Sequence, residues 1–137
     1  MRSMCLLIAG ALVASCTTAP PAPTRTAQGQ EEYQRLTGGK VAGASVSCLP
    51  SYNANDMRII DEDTIAFRTG GGDRVFVAHM SGCNGLRPGG PYALLTRQFG
   101  GSGLCRGDIA QVIDPLSKMT VGSCVFGDFT PYTTPGR

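Results

Sequence analysis

Beyond residue 40 the chain is a succession of short apolar and polar alternations, each closed by glycine, aspartate or proline. Residues 57–61 and 64–68 read as two strands about the turn Asp61-Glu62-Asp63, with Ile65 and Phe67 sharing a face. Gly70-Gly71-Gly72-Asp73 then turns the chain into residues 74–80, its most strand-like segment. There Val75, Val77 and His79 point one way and Phe76, Ala78 and Met80 the other. Apolar residues on both faces predict a central strand. A glycine-rich loop leads to a strand over residues 92–99, and Gly100-Gly101-Ser102-Gly103 turns the chain again. The strand that follows sets Ile109, Gln111 and Ile113 against Ala110 and Val112 before Asp114-Pro115 stops it, and residues 119–126 form the last strand. No amphipathic stretch of about ten residues predicts a helix in this part. The pattern predicts a mainly β fold, a small antiparallel barrel or sandwich of about six strands stapled by two disulfides, over residues 41–132. Residues 133–137 read as a disordered tail.

The first forty residues follow another pattern. Met1-Arg2-Ser3-Met4 is a basic start, and the apolar run of residues 5–14 is too short to span a bilayer as a helix. Residues 1–15 read as a signal peptide, and Val13-Ala14-Ser15-Cys16 resembles the lipobox of bacterial lipoproteins, in which the cysteine is diacylated and becomes the new N-terminus. The alternative is an ordinary secretory signal cut near Ala14 or Ala19. Either reading exports the protein. Residues 16–40, rich in Pro, Thr and Gln, then read as a tether, with at most a turn or two of helix at Glu31–Leu36 before Gly38-Gly39 stops it.

Export changes the meaning of the cysteines. In an oxidising compartment a small domain with a modest core is stabilised by cross-links, and Cys48, Cys83, Cys105 and Cys124 supply two. Three pairings are open. Cys83 and Cys105 flank one strand in glycine loops, while Cys48 and Cys124 lie in the first and last core segments, so Cys83 with Cys105 and Cys48 with Cys124 is the favoured arrangement. A zinc site or a catalytic dithiol would need closely spaced thiolates such as Cys-x2-Cys, and no such pair occurs.

The formal net charge is +2, from 12 Lys and Arg against 10 Asp and Glu. Removing residues 1–15 takes away Arg2 alone and leaves about +1, a balance that offers no sustained basic field for nucleic acid. Chemistry-bearing residues are few. His79 is the one histidine, and mid-strand it reads as packed or half-exposed before it reads as a base. No Gly-x-Ser-x-Gly elbow seats a nucleophile. Asp61-Glu62-Asp63 lacks the further ligands of a calcium loop and reads as a solvated turn; Gly70-Gly71-Gly72 lacks the Lys-Ser/Thr of a phosphate loop and reads as a hairpin. In Arg106-Gly107-Asp108, Gly107 takes an unusual backbone angle, Asp108 accepts from nearby amides and Arg106 points to water. Arg58, Arg68, Arg74, Arg87, Arg97 and Arg106 are spread through the core segments, either as solubilising outward positions or as the lining of a groove for anionic sugar or phosphate.

Cys48-Leu49, the acidic turn before Thr64-Ile65-Ala66-Phe67, Gly82-Cys83-Asn84-Gly85-Leu86, Gly103-Leu104-Cys105-Arg106-Gly107-Asp108 and Cys124-Val125-Phe126-Gly127-Asp128-Phe129-Thr130-Pro131 together resemble a family of small exported proteins of Alphaproteobacteria and Gammaproteobacteria of unknown function. The resemblance covers about residues 48–132 and implies a periplasm-facing domain with paired cysteines, and no activity. The expectation is therefore a non-catalytic binding or structural module of the bacterial cell envelope. It is held to the membrane, by preference the outer membrane, through Cys16, takes no cofactor, and has an envelope protein or glycan as partner. Arg106, Asp108 and His79 are the candidate binding residues. A small secreted hydrolase or enzyme inhibitor using His79 or the arginine loops is the alternative.

Overall fold

The computed structural model describes residues 25–49, 51–97 and 103–136. The signal peptide, Cys16 and the tether up to residue 24 lie outside the described residues. A helix, α1 (Ala27–Thr37), precedes nine strands: β1 (Val41–Ala42), β2 (Cys48–Leu49), β3 (Met57–Asp61), β4 (Thr64–Thr69), β5 (Arg74–Ser81), β6 (Ala93–Thr96), β7 (Leu104–Cys105), β8 (Ile109–Ile113) and β9 (Thr120–Thr133). Six of them form one antiparallel sheet in the order β3-β4-β5-β9-β8-β6, curled into a half-barrel, with β1 beside the far end of β9 and β2 paired to β7. The mainly β expectation holds, and β5 is central, between β4 and β9.

The two faces of β5 enter two cores. Phe76, Ala78 and Met80 join Ile65, Phe67, Leu86, Leu104, Val112, Phe126 and Phe129 inside the curl, where the rings of Phe126 and Phe129 stack at 5.9 Å. Val75 and Val77 face outward with Ile60 and Ala66, and what covers them is α1, through Leu36. This corrects the tether reading for its second half: the helix belongs to the domain. Its apolar stripe is a single leucine and a tyrosine, too thin to announce a packed helix in the sequence. Thr26 caps it by accepting from the Gly29 amide at 3.1 Å. Gly29 packs so tightly that a Cβ there would lie 2.2 Å from the Ile60 carbonyl oxygen, so the helix lies directly on the backbone of β3.

The last strand is longer than its pattern predicts. Opposite Ala78 and Met80 on β5 stand Phe129 and Phe126 on β9, so that Gly127 and Asp128 together oppose His79 alone, which is a β-bulge. The bulge shifts the alternation by one, and β9 continues to Thr133, past the expected end of the last strand at residue 126 and into the first residue of the segment read as a disordered tail. Pro131 is tolerated because its carbonyl, and with it the ring nitrogen, turns away from β5 toward β1, where the Gly43 amide donates at 2.7 Å.

The disulfides are Cys48–Cys105 and Cys83–Cys124, not the favoured Cys83–Cys105 and Cys48–Cys124. Cys48 and Cys105 stand directly opposite on β2 and β7, with Cα atoms 4.0 Å apart. The Arg106 amide donates to the Ser47 carbonyl beside them, which makes the cysteines the close, non-hydrogen-bonded pair that a cross-strand bridge needs. Cys83 follows the turn at Gly82, whose φ of 87° and close approach to Ser123 both call for glycine. That turn brings it back onto β9 at Cys124. The bridges span 57 and 41 residues, and by loop-closure entropy each contributes at most about 4 kcal/mol.

The two bridges differ in access. Cys83 and Cys124 are each 1 % exposed, while Cys48 is open to solvent and Cys105 half-buried. Thiol exchange requires an attacking thiolate to reach sulfur. Limited reduction in native buffer followed by alkylation and peptide mapping is therefore expected to label Cys48 and Cys105 well before Cys83 and Cys124. Simultaneous labelling of all four would contradict the placement.

Candidate functional site: a groove between the helix and the Cys83 loop

The edge of the sheet at β3 is flanked on one side by α1 and on the other by the loop over residues 82–92. Between them runs a groove in two connected parts that share Arg87 and Pro88. The larger, about 650 Å³, is walled by Glu31, Glu32 and Arg35 of α1, floored by Met57, Arg58 and Ile59, and closed by Arg87 and Tyr92. The smaller, about 250 Å³, lies against Thr26, the acidic turn and Leu86.

The acidic turn holds both walls. Asp61 pairs with Arg25 at 2.7 Å in a site where each side chain is mostly shielded, and its other carboxylate oxygen accepts from the Asp63 amide at 2.9 Å. Glu62 accepts from the Gly85 amide at 2.7 Å and so ties down the loop, whose Leu86 is buried in the core. Sequence reading took Asp61-Glu62-Asp63 for a solvated turn; two of its three carboxylates have fixed partners, contributed by residues 36 and 23 positions away. The Arg25 guanidinium also lies 4.1 Å from the centroid of the Tyr33 ring, a cation–π contact.

Midway along, the helix is held by Tyr33, whose hydroxyl shares a 2.9 Å hydrogen bond with that of Tyr132. That bond, with burial and the proximity of a second phenol, pushes the Tyr132 hydroxyl up to about 12.

Within the groove Glu32 is the electrostatic centre. It binds Arg35 through both carboxylate oxygens and lies 4.0 Å from Arg58, while Arg58 also donates to the carbonyls of Asn55 and Met57. Arg87 makes no side-chain hydrogen bond or ion pair among the described residues. The lining thus combines guanidinium forks, carboxylates and the half-exposed ring of Tyr92, a set suited to holding a polar ligand.

The sequence-selected residues do not converge here. Arg106 is exposed and pairs with Asp128 at 3.1 Å. Asp108 accepts from the Cys105 amide at 2.7 Å across Gly107, whose φ is 91°, so it shapes a turn as its sequence context implied. His79 is exposed on β5 opposite Thr64, lines neither part of the groove, and bonds no carboxylate among the described residues. Of the arginines named from sequence, Arg58 and Arg87 reach the groove, joined by Arg35, which the tether reading passed over. Among the described residues no cluster of three His, Cys, Asp or Glu side chains is placed to hold a metal.

No protein-family model, no curated protein and no solved structure matches this chain.

Two outcomes are expected. Asp61→Ala removes the Arg25 partner and frees the start of α1, so hydrogen exchange at amides 28–31 should accelerate about tenfold or more while β5 stays protected; unchanged exchange would contradict the clamp. For Tyr132 the folded value lies above that of an ordinary tyrosine, about 10. Its contribution is therefore complete below pH 10 and is lost as pH rises from there through about 12. Denaturation midpoints should fall over that window for the wild type and less steeply for Tyr132→Phe.

Proposed function

We propose that this chain is an exported, lipid-anchored module of the bacterial cell envelope that binds a ligand in the groove and does no chemistry on it. The observation that carries the binding reading is the groove itself: arginine forks, carboxylates and an aromatic face gathered in one cleft. Such a surface recognises hydrogen-bonding and charged groups, and an envelope glycan bearing acidic groups suits it: a sugar face can lie on Tyr92 while Arg87 meets a carboxylate.

Export is supported by the signal-like residues 1–15 and by a solvent-open disulfide, which persists where the surroundings are oxidising. The anchor rests on Val13-Ala14-Ser15-Cys16, and the resemblance of residues 48–132 to exported proteins points to the same compartment.

A fatty-acid probe fed to expressing cells should label the wild type and not Cys16→Ala, which should partition into buffer. Equal labelling or equal extraction removes the anchor. Retention on purified cell-wall glycan should drop about tenfold in Arg87→Glu, since a charge-assisted contact becomes repulsive; identical retention removes the groove as the binding surface.

A further inference from the structure

The outward face of the sheet is covered by α1 over β3, β4 and β5 but not over β8 and the first half of β9. There Ile109 and Val125, opposite one another, are 52 % and 41 % exposed, with Val121 and Leu95 also open. The face leads to the hairpin turn between β8 and β9, where Leu116 is 94 % and Met119 65 % exposed. A turn that merely reverses the chain has no need of two large apolar side chains in water.

The chemistry of the turn is one-sided. Asp114 is occupied in forming it, its Oδ1 accepting from the amides of Leu116 at 2.9 Å and Ser117 at 3.4 Å. Lys118, between the two apolar side chains, is exposed and pairs with no acid among the described residues. It also has φ of 62°, a left-handed conformation at a position where glycine would be unstrained. The backbone thus accepts strain where it presents a cation between two apolar residues.

We infer that this tip, Leu116-Ser117-Lys118-Met119, dips into the surface of a lipid bilayer, with the apolar side chains among the acyl boundary and the ammonium at anionic headgroups. The inference rests on the anchor reading of Cys16. From Cys16 to Arg25 the chain extends by at most about 30 Å. The helix begins beside Asp61 and runs toward Tyr132 near the end of β9, so its start lies toward the end of the sheet to which β9 leads back at Thr120. The seven residue steps from Gly127 back to Thr120 cover about 24 Å, a distance that the chain from Cys16 to Arg25 is long enough to span.

The chain has no tryptophan, so Leu116→Trp gives a single reporter and Pro135→Trp, at the far end, its control. Both are made in the processed chain from residue 16 with Cys16→Ser, so that no acyl group carries the protein to lipid. With vesicles of phosphatidylethanolamine and phosphatidylglycerol, the tip reporter should shift to the blue and be quenched by brominated acyl chains, while the control stays unchanged. Leu116→Asp with Met119→Asp should lower vesicle co-sedimentation about tenfold. Lys118→Gly should weaken binding to these vesicles but not to phosphatidylcholine alone. A tip reporter that ignores vesicles, or a control that shifts equally, overturns the inference. So does a blue shift that grows with protein concentration in the absence of lipid, which would make a second copy the occupant. Acylation at Cys16 is scored independently: its absence with tip insertion intact removes only the anchor, and the converse removes only the tip.

Discussion

The fold turns on a single extra residue in its longest strand. At Gly127 the backbone of β9 lies so close to β5 that a Cβ would stand 2.7 Å from the His79 carbonyl oxygen. The bulge there brings Phe126 and Phe129, three apart in sequence, onto the same inner face. With Phe67, whose ring lies 6.2 and 6.1 Å from theirs, they form the centre of the larger core. A bulge also sharpens strand twist, and here it lies just beyond the point where β9 passes from pairing with β8, which ends at Val125, to pairing with β5 and then β1; β5 pairs with β9 on both sides of it. The added twist favours the curl of the sheet, while α1, packed through Leu36, covers the outer face over β3, β4 and β5.

Because the sheet curls without closing, it keeps two edges, β3 and β6. Unpaired edges invite association unless something covers them. At β3 the cover is α1, laid on the Ile60 backbone through Gly29, and the same contact creates the groove. The helix wall, the acidic turn and the Cys83 loop hold one another through Arg25–Asp61 and Glu62–Gly85, so the site is built from three segments far apart in the chain. The buried disulfide at Cys83 fixes the base of the loop that carries Arg87 and Tyr92.

Much of the sheet was legible in the chain. Residues 64–68 and 109–113 carry a two-residue period because each strand buries at least one face, residues 57–61 carry it less regularly, and Val75 through Met80, largely apolar on both faces, marked the strand with a core on either side. Legibility failed where the period broke or the signal was long-range. The Gly127 bulge put β9 out of phase, so its second half was not read as strand. The pairing of Cys48 with Cys105 depends on a two-residue strand, β2, that no periodicity can reveal, and on its register with β7. The helix was hidden because its burial depends on Leu36, Tyr33 and a glycine contact rather than on an amphipathic stripe. The groove followed the helix into obscurity: Arg58 and Arg87 were visible as arginines, but nothing local says that Arg35 joins them.

The direct test of this account is the equilibrium unfolding of Gly127→Ala beside Gly122→Ala, two substitutions in the same strand. At Gly122 a Cβ would meet only the Val112 side chain at 3.8 Å, ordinary contact, whereas at Gly127 it would strike backbone. The account predicts that Gly127→Ala loses about 1–3 kcal/mol through forced displacement of β9 from β5, while Gly122→Ala changes little or gains up to about 1 kcal/mol from the stiffer unfolded chain. Equal unfolding midpoints for the two variants would contradict it.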